Sequence, residues 1–185
     1  MKLGRFLLRV VIGGLFIGHG TQKLFGWFGG PGLEGAGQMM GSLRLHPPKE
    51  NARLAGLAEA GGGTLLVLGL ATPLAAASVM GVMITAIRTV HAKNGPWNSS
   101  GGYEYNLVLI AALLGLVDGG PGKWSMDRAL GIHDTGLLWA LLSLGTAATA
   151  SALTVSRGNR EADKAEQAER HEQAEVTPIV GTDES

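Results

Sequence analysis

Five apolar stretches dominate this chain, and they leave it very few ways to fold. Crossing a bilayer takes about 20 mostly apolar residues, and residues 5–26, 52–70, 74–90, 103–117 and 136–155 read as such stretches. Hydrocarbon offers no water to pair with backbone amides, so each must be a helix that satisfies its own hydrogen bonds. The predicted fold class is all-α: a polytopic membrane helical bundle of four core transmembrane helices plus a fifth. Thr72-Pro73 ends the second stretch, because proline breaks helix continuity. The turn it leaves is so short that the second and third helices must form an antiparallel hairpin. The fourth is closed by Asp118-Gly-Gly-Pro-Gly122. The fifth is rich in small residues (Gly145-Thr-Ala-Ala-Thr-Ala150) and less hydrophobic than the second, third and fourth.

This reading divides the chain into a four-helix membrane domain over residues 1–130, a fifth transmembrane helix over 131–156 and a polar tail over 157–185. Of the 30 charged residues, 12 fall from Arg157 onward. The tail is polar on every face, and a helix with no apolar stripe has nothing to bury, so disorder or a frayed helix is expected there. Lys2, Arg5 and Arg9 precede an apolar run but no small-residue cleavage site follows, which favours a retained first helix over a cleaved signal. Between the first two helices, residues 37–45 carry Met39, Met40 and Leu43 at helical spacing, fitting either an interfacial amphipathic helix or an irregular loop. Basic residues in short flanking loops point to a cytoplasmic N-terminus.

Composition excludes several chemistries. The net charge is zero, which gives no support to nucleic-acid binding. There are no cysteines, so disulfides, iron–sulfur clusters held by thiolates and covalent haem are ruled out. An electron-transfer role would need a non-covalent cofactor, such as a quinone, or a partner.

Against this apolar background the ionisable residues stand out, because a charge in hydrocarbon is costly unless it is paired or faces a protein-lined cavity. His19 and Lys23 lie within roughly 5–11 Å of the end of the first helix at 1.5 Å per residue. The second helix re-enters on that side and reaches Glu59 roughly 10 Å deep by the same rise. The third helix climbs to the same side and carries Thr85, Arg88 and His91 last. The fourth descends from it and carries Glu104 and Asn106 first. The result is one polar layer (His19, Gln22, Lys23, Glu59, Arg88, His91, Glu104, Asn106) in one half of the bilayer, with the opposite half expected to be nearly pure Leu, Val, Ala and Gly. Lys23 and Arg88 balance Glu59 and Glu104 in charge, and His19 and Lys23 share a helix face at i,i+4.

A neutral, internally paired layer of this kind can fix helix register and do no chemistry. It can equally bind a small polar molecule, with Lys23 and Arg88 holding an anionic group and Glu59 as the candidate proton-handling residue. Two histidines on different helices are weak evidence for metal or haem, so no metal site is assigned. Arg88 and His91 also suit plain interfacial positions. Trp97, Tyr103 and Tyr105 fit either a membrane-interface belt or a cap over the polar layer. Ser125 or Asp127 is placed to cap a short following helix.

Several of these segments occur together, in order and spacing, in a known family. They are His19-Gly-Thr-Gln-Lys-Leu-Phe-Gly26, Glu59 with Leu65-Leu-Val-Leu-Gly-Leu-Ala-Thr-Pro73, Asn94-Gly-Pro-Trp97, Gly101-Gly-Tyr-Glu-Tyr-Asn106 and Gly120-Pro-Gly-Lys-Trp-Ser-Met-Asp127. Over about residues 5 to 130 the chain resembles the DoxX family of small bacterial membrane proteins. The resemblance implies a four-helix bundle in the plasma membrane. It also implies association with membrane oxidoreductase systems, among them a thiosulfate:quinone oxidoreductase subunit in the related DoxD group, and with complexes of oxidative-stress enzymes. It assigns no catalytic residue. The functional expectation is a subunit of a membrane-associated oxidoreductase complex that binds a quinone-like or small anionic ligand in the polar layer. Its partners would be the lipid bilayer and a soluble oxidoreductase or other membrane subunits. The alternatives are a non-catalytic scaffold for soluble redox or stress enzymes, and a small-molecule carrier, which the lack of an evident inverted repeat disfavours.

Overall fold

The structure, a computed structural model, describes residues 2–176. Among them are seven α-helices and no strand: α1 (Lys2–Phe25), α2 (Gly32–Ser42), α3 (Pro48–Leu68), α4 (Thr72–Ala86), α5 (Glu104–Gly119), α6 (Met126–Ala129) and α7 (Leu137–Val176). The five long helices lie where the apolar stretches predict them. Leu3–Phe25, Thr72–Asn94 and Leu137–Gln173 are long and apolar enough to cross a membrane. The other two long helices fall short of that measure for visible reasons. Arg53 and Glu59 interrupt the apolar run of α3, and α5 has 16 residues.

Lipid tails are as apolar as leucine, so helices in a bilayer associate through close packing rather than through the hydrophobic effect. The most extensive contact, between antiparallel α1 and α3, shows how. A Cβ on Gly13 would lie 2.5 Å from the Gly63 carbonyl oxygen, and one on Gly20 would lie 2.6 Å from that of Gly56. Bare glycine backbones therefore touch at two levels, one residue from each helix at each level. The outward faces are what lipid requires: Leu3, Leu7, Val11 and Leu15 form an exposed apolar stripe along α1 at i,i+4 spacing.

The main core gathers Phe16, Leu66, Val79, Met80, Leu113 and Leu116, with Ala140 and Ala147 from α7. The packing face of α7 is built from small residues one turn apart, Ala140, Ser143 and Ala147, whereas the rest of the 145–150 run is exposed. Ser151 continues that face, its hydroxyl accepting a hydrogen bond from Thr85 at 3.0 Å.

Two expectations need correction. The polar segment after Arg157, expected as a frayed helix or disorder, continues α7 without a break as far as Val176. Forty residues at 1.5 Å per residue make a rod of about 60 Å, roughly twice the hydrocarbon thickness. Its protruding half docks without an apolar stripe. Val155 and the buried Ala162 face the corner formed by α2 and α3, and Gly158 lies so close that a Cβ there would sit 2.9 Å from the Leu45 Cα. Arg44 at that corner pairs with Asp163 and Glu166. Residues 177–185 of the expected tail lie outside the described residues.

The second correction concerns the half of the bundle expected to be purely apolar. Arg9 is completely buried there. Its guanidinium donates to the Trp124 carbonyl and runs across Gly69, which ends α3 at a φ of 64°. Any side chain on Gly69 would be strained in backbone and would collide with Arg9. Nearby, the buried Asp127 carboxylate accepts hydrogen bonds from the Ala71 amide (2.7 Å), the Thr72 amide (3.0 Å) and the Thr72 hydroxyl (2.6 Å). Asp127 thus caps α4, whose N-terminal amides favour a negative charge, and holds Ala71 at a left-handed φ of 46°. Ser125 caps α6 itself, accepting from the Arg128 amide. Together these groups tie α1, the α3–α4 turn and the segment before α6 into one knot.

Candidate functional site

At the other end of the bundle the expected polar layer meets a cavity of about 640 Å³. α1 contributes His19 and Lys23 one turn apart, α3 contributes Glu59, and α5 contributes Asn106 from its first turn. All four line the cavity together with Thr85, Ser151 and His91, and apolar side chains make up most of the remaining wall. A cavity of this size with mainly apolar walls and a few convergent polar groups is what a small-molecule site requires.

Lys23 and Glu59 form its electrostatic centre. The Lys23 ammonium donates to both Glu59 oxygens, at 2.6 and 2.8 Å, and the Glu59 side chain is only 4 % exposed. The close seam between α1 and α3 brings them together, since the Gly20–Gly56 contact lies beside them. Asn106 is buried, and its amide donates to the Met83 sulfur at 3.3 Å, a weak acceptor. His19 lies edge-on to Phe16, their ring centroids 6.2 Å apart.

The remaining candidates sit elsewhere. Gln22 does not line the cavity and packs against Gly30 in the α1–α2 connection. Arg88 is exposed and does not line the cavity. Glu104 is also off the cavity, its carboxylate accepting from the Asn98 amide at 2.7 Å. The charge balance of the layer is therefore local: one ion pair faces the cavity, rather than four charges.

The connection between α4 and α5 lies at the polar end. α4 passes into a π-helical turn over Ile87–His91, a wider coil that recurs at functional sites. From there the His91 ring Nδ1 donates to the Gly101 carbonyl at 2.7 Å, and the Asn94 amide donates to the same oxygen at 3.2 Å. Asn98 and Gly102 of this connection line the cavity, as does Tyr105 from the first turn of α5, whereas Trp97 is largely exposed. No group of three or more His, Asp or Glu among the described residues is arranged to hold a metal ion.

Sequence reasoning missed the Arg9–Asp127 knot, although a signal was present. Arg9 lies within the same apolar run as His19 and Lys23. The rule that flags an ionisable residue inside a span applies to it equally. Counting it instead among the basic flanking residues that orient the chain hid it.

Known proteins resemble this chain in sequence. The DoxX family model matches residues 4–92, a stretch that includes His19, Lys23, Glu59 and His91. Over 115 residues the chain is 34 % identical to the Bacillus subtilis protein named "Putative oxidoreductase CatD", covering 62 % of this chain and 79 % of that one. Over 135 residues it is 30 % identical to an uncharacterized membrane protein of Mycobacterium tuberculosis, covering 66 % of this chain and 78 % of the relative. No solved structure matches the chain.

Proposed function

This chain belongs to the DoxX family, and from that premise we propose that it is the membrane-embedded subunit of an oxidoreductase complex, holding a quinone-like or small anionic ligand in the cavity between α1, α3, α4, α5 and α7. The observation that carries the reading is the cavity itself, mainly apolar, with Lys23, Glu59, His19 and Asn106 gathered at one end. The relative named as an oxidoreductase adds support.

A quinone, where one is bound, supplies two-electron redox chemistry. The chain's own residues would bind, orient and exchange protons. Lys23 and Asn106 offer hydrogen-bond donors to a headgroup oxygen. Glu59, buried beside Lys23, would hold or pass a proton. With no cysteine in the chain, thiolate-held clusters would have to come from a partner, a soluble oxidoreductase or another membrane subunit. We place the protein in the plasma membrane with its N-terminus cytoplasmic, on the strength of Lys2, Arg5, Lys123 and Arg128 at that end. Single cysteines introduced into this cysteine-free chain and labelled from one side test that orientation.

Purification in mild detergent, with mass spectrometry of co-purifying lipids and proteins, tests the functional reading. A quinone-type lipid and an oxidoreductase partner are expected, with quinone-dependent activity abolished by Glu59→Gln in a folded protein. Retention of neither ligand nor redox partner would overturn it. One observation favours a second reading, a non-catalytic scaffold: Lys23 already occupies both Glu59 oxygens. A scaffold tolerates Lys23→Met with Glu59→Gln and loses partners only on loop changes.

A further inference from the structure

The cavity is not a compact chamber. α4 and the π-helical turn after it lend it one long face, from Leu74 through Ala77, Gly81, Thr85 and Thr89, spaced three or four positions apart, to His91. That face is about 25 Å long at 1.5 Å per residue. Hydrocarbon carbons pack at about 4 Å, so an extended hydrocarbon chain lying along this face fits within a cavity of about 640 Å³.

The two ends differ in chemistry. Lys23, Glu59, His19, His91 and Asn106 gather at one, whereas Ile12, Phe16, Leu74 and Ala77 line the other. Charge is balanced at the polar end. Lys23 and Glu59 neutralise each other at 2.6 Å, Arg88 and Glu104 lie off the cavity, and the other titratable groups on it are His19, His91 and Tyr105. An anionic head would be stripped of water with no unpaired fixed cation to meet it, a costly transfer. A neutral carbonyl or hydroxyl head finds the Asn106 amide and the His19 ring. The route in also favours a membrane-dissolved molecule. Leu15, Leu54 and Leu74 line the cavity while being half or more exposed on the lipid-facing surface.

We propose that the cavity binds an amphipath, its uncharged oxygen-bearing head at Asn106, His19 and the Lys23–Glu59 pair and a hydrocarbon tail extended along α4 toward Leu74, and that it rejects small water-soluble anions. This rests on the reading of the cavity as a ligand site and narrows it, choosing against the small-anion alternative.

The test uses the full chain in lipid nanodiscs, with empty discs subtracted. One probe series carries a benzoquinone head with no tail and then with tails of increasing length. A second carries the same tails on a simple alcohol, and sulfate serves as the small-anion probe. Affinity is expected to rise at least tenfold from the tail-less quinone to a ten-carbon tail and to level off once the tail exceeds the cavity. Ala77→Leu and Gly81→Leu, each narrowing the apolar end away from the head, should flatten that rise while sparing the tail-less probe. Using two variants guards against one failing to fold. Equal affinity for tail-less and long-tailed quinones, or displacement of the probe by sulfate, overturns this proposal and leaves a ligand site standing. Tail-dependent binding of the alcohols without any preference for the quinone head upholds it and removes the quinone reading. Failure of every probe to bind overturns both.

Discussion

Lys23 and Glu59 stand 36 positions apart in the chain and meet at 2.6 Å inside the bundle, one ammonium serving both oxygens of one carboxylate. Removing one partner of a buried pair strands a charge, at a cost on the order of 3–5 kcal/mol, whereas replacing both is often neutral. Lys23→Met should therefore lower the thermal unfolding midpoint in detergent sharply, and Lys23→Met with Glu59→Gln should recover most of the loss. A double variant as unstable as the sum of its parts would contradict the pairing.

The glycine run Gly61-Gly-Gly63 offers an internal comparison. A Cβ on Gly63 would meet the Gly13 carbonyl oxygen at 2.5 Å, whereas one on Gly61 meets nothing within 4 Å. Gly63→Val should separate α1 from α3, with a loss at the upper end of the roughly 1–3 kcal/mol seen for overpacking. Gly61→Ala should be neutral or gain up to about 1 kcal/mol from helix propensity. Unfolding midpoints of the two variants check this, and equal effects would rule out the seam.

At the opposite end, Asp127→Ala leaves the Ala71 and Thr72 amides and the Thr72 hydroxyl without their acceptor. Each buried orphan costs about 1–3 kcal/mol, so the variant should be among the most damaging single changes in the chain. Asp118→Ala, at an exposed carboxylate, should stay within about 0.5 kcal/mol of the parent. The comparison needs only relative yields of folded protein and their unfolding midpoints.

The protruding half of α7 should respond to salt. Exposed ion pairs are worth about 0.2–1 kcal/mol each, so Arg44→Ala should barely move global stability. It should raise hydrogen exchange around Asp163 and Glu166, as should high salt acting on the parent. Gly158→Leu, pressing on the Leu45 backbone, should release the segment more completely. Unchanged exchange in all three conditions would mean the extension is not docked through these contacts.

Much of this fold is legible in the sequence, since the five long helices follow from hydropathy and turn residues alone. Depth is legible too, because successive spans alternate in direction, and that fixes which half of the bundle each polar residue occupies. Lys23, Glu59 and Asn106 can be placed at one level for that reason. Rotation about the helix axis is not fixed in this way, and it decides that Arg88 faces outward and that Glu104 turns to the Asn98 amide. Contacts between distant turns are hidden as well. Nothing near Asp127 in the sequence indicates that its partners are Ala71 and Thr72, 55 residues and more away. The docking of Gly158 and Ala162 escapes a reading based on apolar stripes, because close backbone approach needs small residues rather than hydrophobic ones.

The central claim, that the cavity beside the Lys23–Glu59 pair is a ligand site, is tested most directly by the amount of neutral amphipathic lipid retained per protein through purification in mild detergent. The account predicts close to one molecule per chain in the parent, and its loss in folded Asn106→Leu and Glu59→Gln variants. Equal retention by parent and both variants, or none in the parent, would contradict it.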